Sequence, residues 1–285
     1  SVANSKIYLD HNASSPLLPE ASAAMTEIGQ VAFANPSSPH WAGREARILL
    51  EESREKLAQA LGAKPQEIFF TSGGSESNNA VLRQLLTTSA EKHLISSTIE
   101  HPSVLETCRI LAEQKNIQFT ELTVDSNGTI DAENLNEAIR QETALISLIS
   151  ANNETGKLQS IEELTKIAKQ YQIPFHTDIT QAFGKIQLDL SKSRIDYATA
   201  TAHKLGGPRG IGLLYVREGT PFQPLITGGK QERARRAGTE TVKLAVGFAN
   251  AVEWYLNNQY KLREQFLIFR KSVLDEITKL DGIFI

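Results

Sequence analysis

At 285 residues, with 40% hydrophobic and 22% charged residues and a formal net charge of -3, the chain is long enough to bury one large domain, or one domain and part of another. Its charges are interspersed, which excludes a strong basic or acidic field and with it any compositional case for nucleic acid or an anionic membrane surface. One cysteine, Cys108, excludes an internal disulfide, and six histidines without Cys partners or close pairing exclude a zinc cluster. The expected setting is a reducing, cytoplasmic one. No apolar run approaches the roughly 20 residues of a membrane span, and Ser1 to Lys6 lack the apolar core of a signal peptide.

In chain order, "EARILLEESREKLAQALG" carries apolar residues at Ala46, Leu49, Leu50, Leu57 and Leu61 and stops at Gly62, the pattern of an amphipathic helix with glycine just past its end. Short β-type runs then alternate with helical stretches: "EIFFTS" (67–72), "HLISST" (93–98), "QFTELTV" (118–124), "ALISLIS" (144–150), "IPFHTD" (173–178), "YATATA" (197–202) and "GLLYV" (212–216). That rhythm predicts an α/β fold, a mostly parallel seven-stranded sheet with helices on both faces. "IEELTKIAKQYQ" (161–172) reads as a helix with Ser160 as N-cap and Glu163 three positions on. Residues 242–280 read as long helical material interrupted at Asn257 and Asn258, and "GIFI" (282–285) as a strand beginning. The expected divisions are an N-terminal arm at 1–15, a large domain at 16–255, and at 256–285 a linking helix leading into a small domain that is largely absent.

Three places carry chemistry. In "TSGGSESNNAVL" a strand ends in Gly73 and Gly74 and a helix opens at about Ser75; free N–H groups and the helix dipole make such a junction an anion site, although many such turns only reverse the chain. In "FHTDITQAFGK", Asp178 and Gln181 follow an interior strand, at the carboxyl edge where open α/β sheets bind ligands; Asp178 also suits an N-cap. In "ATATAHKLGGPRG" a strand-like run ends at Lys204, where burial favours a neutral, nucleophilic amine; a surface lysine on a glycine-rich turn is the alternative.

Taken together, a phosphate cradle, a carboxylate and an imine-forming lysine after three strands of one sheet are the parts that pyridoxal phosphate requires. Ser75 and its helix would anchor the phosphate and Asp178 would keep the pyridine nitrogen protonated. Gln181 would hydrogen-bond the phenolic oxygen, and Lys204 would hold the aldehyde.

The ordered motifs "YLDHNASSP", "NPSSPHWAGREAR", "FTSGGSESNN", "EHPSVLETCR", "NNETGKLQSI", "HTDITQAFGK", "TAHKLGGPRGIG" and "GGKQERARRAGT" resemble the cysteine desulfurases of the class V aminotransferases, which are fold-type I pyridoxal phosphate enzymes. The resemblance runs from about Ile7 to at least Ala251. It implies the large domain of that transferase fold, a homodimer, L-cysteine as substrate, and transfer of its sulfur to an enzyme cysteine as persulfide, leaving L-alanine. It further implies that His101 stacks on the ring and moves protons, and that Asn152 contacts cofactor and substrate. Thr201 and His203 would join Gly74 and Ser75 around the phosphate, and Thr239 would reach the phosphate of the neighbouring subunit. A sulfur-acceptor or scaffold protein is the implied macromolecular partner, and no metal is expected.

Five positions differ from the family pattern: His11 replaces an asparagine, Gly74 and Ser75 replace Ala-Thr, and Ile179 and Thr180 replace a small pair. The family's nucleophilic cysteine and carboxylate-binding arginine are expected further along than this sequence reaches. Cys108, on the apolar stripe of "VLETCRILAE", reads as a packing residue. His40 and His93 read as structural or surface groups, and His176 as a satisfied strand residue. The basic loop "KQERARR" (230–236) reads as a contact loop for a partner subunit or anionic groups. Other readings are a selenocysteine lyase or another reaction on the same cofactor, a non-catalytic scaffold, and a nucleotide-binding protein, the last opposed by the absence of either phosphate-loop fingerprint.

Overall fold

The computed structural model describes residues 6–283. Two helices come first, α1 (Pro19–Glu27) and α2 (Trp41–Leu61). There follow β1 (Ile68–Thr71), α3 (Gly74–Leu82), β2 (Lys92–Ser97), α4 (Pro102–Ala112), β3 (Ile117–Leu122), α5 (Ala132–Ala138), β4 (Thr143–Ser147) and α6 (Ile161–Gln170). The series ends with β5 (Phe175–Asp178), β6 (Tyr197–Thr201), β7 (Gly212–Val216) and α7 (Val242–Ile277). Each of the seven expected sheet strands forms within two or three residues of its expected ends.

The seven strands make one sheet in the order β1-β7-β6-β5-β4-β2-β3. Four neighbouring pairs are parallel, and only β7 runs antiparallel, to β1 on one side and β6 on the other. β1, β4, β5, β6 and β7 are buried along nearly their whole length, and all but β5, which carries His176 and Asp178, are apolar or small-residue strands, as expected when helices cover both faces. One face packs Val81, Leu82, Val104, Cys108 and Leu111 of α3 and α4 against Leu94, Leu145 and Leu214. The other packs Leu50, Leu57, Leu164 and Phe248 of α2, α6 and α7 against Ile95, Ile146 and Phe175.

The helix ends follow from local chemistry. Gly62 takes the left-handed conformation (φ 62°, ψ 33°) that closes α2, and α2 begins earlier than its periodicity implied because His40 Nδ1 accepts from the Gly43 N–H. Ser160 precedes α6 but its side chain makes no capping bond, so that expectation is corrected. α7 runs unbroken through Asn257 and Asn258: Asn258 Nδ2 donates to the Trp254 carbonyl one turn back, which keeps the side chain along the helix. Phe284 and Ile285, the end of the expected last strand, lie outside the described residues.

Candidate active site

The carboxyl ends of β1, β5 and β6 open into one cavity of about 320 Å³, within the range of small-molecule sites. Gly74, Ser75, His101, Asp178, Gln181, Thr201, His203 and Lys204 all line it, brought together from positions far apart in the chain. Each is delivered by the element that precedes it.

β1 ends at Thr71 and α3 begins at Gly74. Its first main-chain bond runs from the Ser77 N–H to the Gly73 carbonyl at 3.1 Å, which leaves the N–H groups of Gly74, Ser75 and Glu76 without an intrahelical acceptor at the dipole's positive end. Gly212 at the start of β7 sets how close this turn can lie. A Cβ there would sit 2.5 Å from the Gly73 carbonyl carbon, so the approach requires glycine.

Asp178, the last residue of β5, is 5% exposed. Its Oδ1 accepts from the Thr180 N–H at 2.9 Å, the turn-capping role that sequence left open. Its Oδ2 accepts from Asn78 Nδ2 at 3.0 Å and so is held toward α3. Asn78 also donates to Ser103 Oγ at 2.9 Å, and the Ser103 hydroxyl lies 2.7 Å from His101 Nδ1.

That relay fixes the tautomer of His101. The residue is the N-cap of α4, with Pro102 at the first helical position, and its Nδ1 accepts from the Ser103 N–H at 3.1 Å. An Nδ1 that accepts carries no hydrogen, so the neutral ring bears its hydrogen on Nε2. Burial is the main cause that lowers His101 below the usual histidine range, with Lys204 adding to it and Asp178 opposing. The ring is therefore neutral at pH 7.

Lys204 lies three residues beyond β6, on a short 3-10 turn rather than at the strand's end, and is half-buried. Its Nζ donates to the Asn12 and Ala13 carbonyls at 2.7 and 2.9 Å. Burial lowers its pKa, against the pull of Asp178 and Asp10. A half-buried amine held only by neutral carbonyls is readily made nucleophilic. His203 Nδ1 lies 3.2 Å from Ser14 Oγ, and burial with the charges of Lys204 and Arg209 lowers its pKa as well.

Two expected residues stand elsewhere. Asn152 is not among the lining residues; Asn153 takes that place. The Asn152 side chain is engaged in its own loop, with Nδ2 on the Ile99 carbonyl and Oδ1 accepting from the N–H groups of Glu154 and Thr155. Thr239 is exposed on the segment before α7 and does not line the cavity of its own chain. Conversely, Asn78, Ser103 and Asn12 belong to the site and were not singled out. Asn78 carried one signal, a polar residue on the inward side of a helix that opens at a glycine turn.

The site fits pyridoxal phosphate: one wall offers unpaired N–H groups for an anion, and the others a fixed carboxylate and a half-buried amine. Among the described residues there is no cluster of His, Cys, Asp and Glu able to hold a metal, and no helix is long and apolar enough to cross a membrane.

Residues 7–284 match the aminotransferase class-V family. The chain is 44% identical over 277 residues to cysteine desulfurase IscS of Dictyoglomus turgidum, covering 96% of this chain and 70% of that protein. It superposes on a NifS-like protein with a TM-score of 0.93 at 35% identity, over 97% of this chain and 77% of that one. A solved structure of SspA in complex with cysteine matches at 41% identity and a TM-score of 0.84, over 87% and 72% of the two chains.

Proposed function

The chain belongs to the class-V aminotransferase family, among its pyridoxal-phosphate-dependent cysteine desulfurases, and from that premise we propose that the cavity around Lys204 is where L-cysteine gives up its sulfur and becomes L-alanine. The observation that carries this is the meeting of Lys204, Asp178 and the Gly74–Ser75 turn in one cavity. When bound, the cofactor supplies an aldehyde that joins to an amine and a ring that draws electrons from the substrate carbon.

The protein's own residues then have separate tasks. The free N–H groups at the start of α3, the Ser75 hydroxyl, Thr201 and His203 hold the phosphate. Asp178, fixed by Asn78 and Thr180, keeps a proton on the ring nitrogen. The Lys204 amine would hold the aldehyde, and its Nζ would carry protons. His101 presents a neutral ring with its hydrogen on Nε2.

Cys108 is not the sulfur acceptor: it is fully buried in the core under α4, and burial pushes its thiol up to about 12, so it offers no thiolate. We assign residues 16–255 as the cofactor-binding domain and the working unit as a cytoplasmic homodimer, in which the exposed Thr239 of one copy reaches the phosphate of the other. An acceptor protein of iron–sulfur cluster assembly takes the sulfur onward.

Borohydride reduction of the cofactor-loaded protein followed by peptide mapping tests the assignment. A pyridoxyl group on Lys204 is expected, and one on any other lysine, or none, overturns it. Product analysis with L-cysteine and an added thiol to take the sulfur separates sulfur transfer, which yields alanine and a persulfide, from transamination, which yields a keto acid.

A further inference from the structure

Lys185 follows Gln181 by four residues and does not line the cavity. Its Nζ donates to Gln181 Oε1 at 2.8 Å. The other end of that amide, Nε2, donates to the Asn12 carbonyl at 3.2 Å, and the same carbonyl accepts the Lys204 amine at 2.7 Å. A lysine ammonium has hydrogens and no lone pair, whereas a carbonyl has lone pairs and no hydrogen. Both partners therefore impose one orientation on the amide, oxygen toward Lys185 and NH2 toward Asn12 and Lys204.

The surroundings of Lys185 are otherwise unfavourable to it. The hollow it shares with α7 is lined by Arg263, Arg270, Gln259 and mostly apolar groups, with no carboxylate among the lining residues. Burial, and then the charge of Lys204, lower its pKa to about 8, which still leaves it mainly an ammonium at pH 7. A lysine that served only to fill this hollow would gain by being methionine; what the amine adds is the bond to Gln181.

We propose that Lys185 is a positioning residue that locks the Gln181 amide with its NH2 toward the cavity, so that Gln181 acts as a donor, and never an acceptor, to the phenolic oxygen of the bound cofactor. This rests on the cavity being the cofactor site. A donor stabilises that oxygen as its anion; without the lock the amide turns and the oxygen holds a proton to higher pH.

The test uses the full chain as Lys185→Met, Lys185→Arg, Gln181→Leu and the double variant Lys185→Met/Gln181→Leu. In cofactor-loaded protein, Lys185→Met should raise the pH at which the cofactor's visible absorption titrates by about one unit, the scale of one hydrogen bond to a charged group. Lys185→Arg should restore the wild-type value, and Lys185→Met should add nothing in the Gln181→Leu background. In cofactor-free protein, the NMR signals of the Gln181 side-chain NH2 should move in Lys185→Met and return in Lys185→Arg. An unmoved NH2 pair overturns the proposal, as does an equal absorption shift in the Gln181→Leu background, which would mean that the charge acts directly. A wild-type chain that takes up no cofactor would overturn the assignment of the site, while the NMR readout still decides the role of Lys185.

Discussion

Cys108 shows how one residue's surroundings decide its chemistry. It sits with Val104 and Leu111 on the inner face of α4, and with its thiol pushed up to about 12 it has almost no thiolate at neutral pH. A thiol-specific reagent should therefore leave the native protein unlabelled and modify one site per chain only after denaturation; labelling of the native state would contradict the packing. The same residue-level reading found Lys204 and Asp178, because an amine or carboxylate after an apolar strand is conspicuous in sequence. It could not find Ser103 or Asn78, whose importance arises only where α3 and α4 lie side by side. Nor could it choose between Asn152 and Asn153, since the choice depends on which side chain the loop between 150 and 157 draws into its own hydrogen bonds.

At the level of elements, the glycine turn is shaped by a strand distant in sequence. Replacing Gly212 by alanine would press a methyl group onto the Gly73 backbone. Such overpacking costs about 1–3 kcal/mol. The expected result is a lower melting temperature together with weaker cofactor binding, measured by thermal unfolding and by cofactor titration. Unaltered binding would separate the turn from the phosphate site.

β2 carries a second consequence. His93 is enclosed between Thr143 of β4 and Thr120 of β3, and burial, with help from Arg140 and against Glu142, lowers its pKa from 6.5 to about 4. The unfolded chain binds this proton more readily, so the contribution of His93 to stability is complete above pH 6.5 and is lost as pH falls toward 4. Urea midpoints of wild type and His93→Gln should converge over that window, and parallel profiles would rule the effect out. Strand positions were legible because four strands are nearly all apolar or small. The antiparallel insertion of β7 was not, because neither its composition nor its length differs from that of a parallel strand.

Across the whole molecule, the segment 230–236, expected as a basic contact loop, carries one acidic residue that fastens it to the core. Glu232 turns inward and is 5% exposed, pairing through both oxygens with Arg54 of α2 at 2.7 Å and accepting from the Phe70 N–H at 2.7 Å. The loop thereby covers the edge strand β1. Glu232, Arg233 and Ala234 hold φ values of 47°, 54° and 61°, a left-handed run without glycine that this buried pair keeps in place. Glu232→Gln would leave the buried Arg54 guanidinium with only the part-exposed Glu51 at 3.2 Å as a carboxylate partner, at a cost of about 3 kcal/mol in urea unfolding. A change below about 1 kcal/mol would show that the pair does not anchor the loop.

The strand order has a temporal corollary. Of the seven strands β1 is synthesised first, yet among the described residues its only neighbour in the sheet is β7, the seventh. Joining them closes most of the large domain into a single loop, an entropically slow step. A nascent chain released before Val216 would hold Gly73 and Asp178 without the strand that aligns them, so cofactor uptake waits for β7 to join β1.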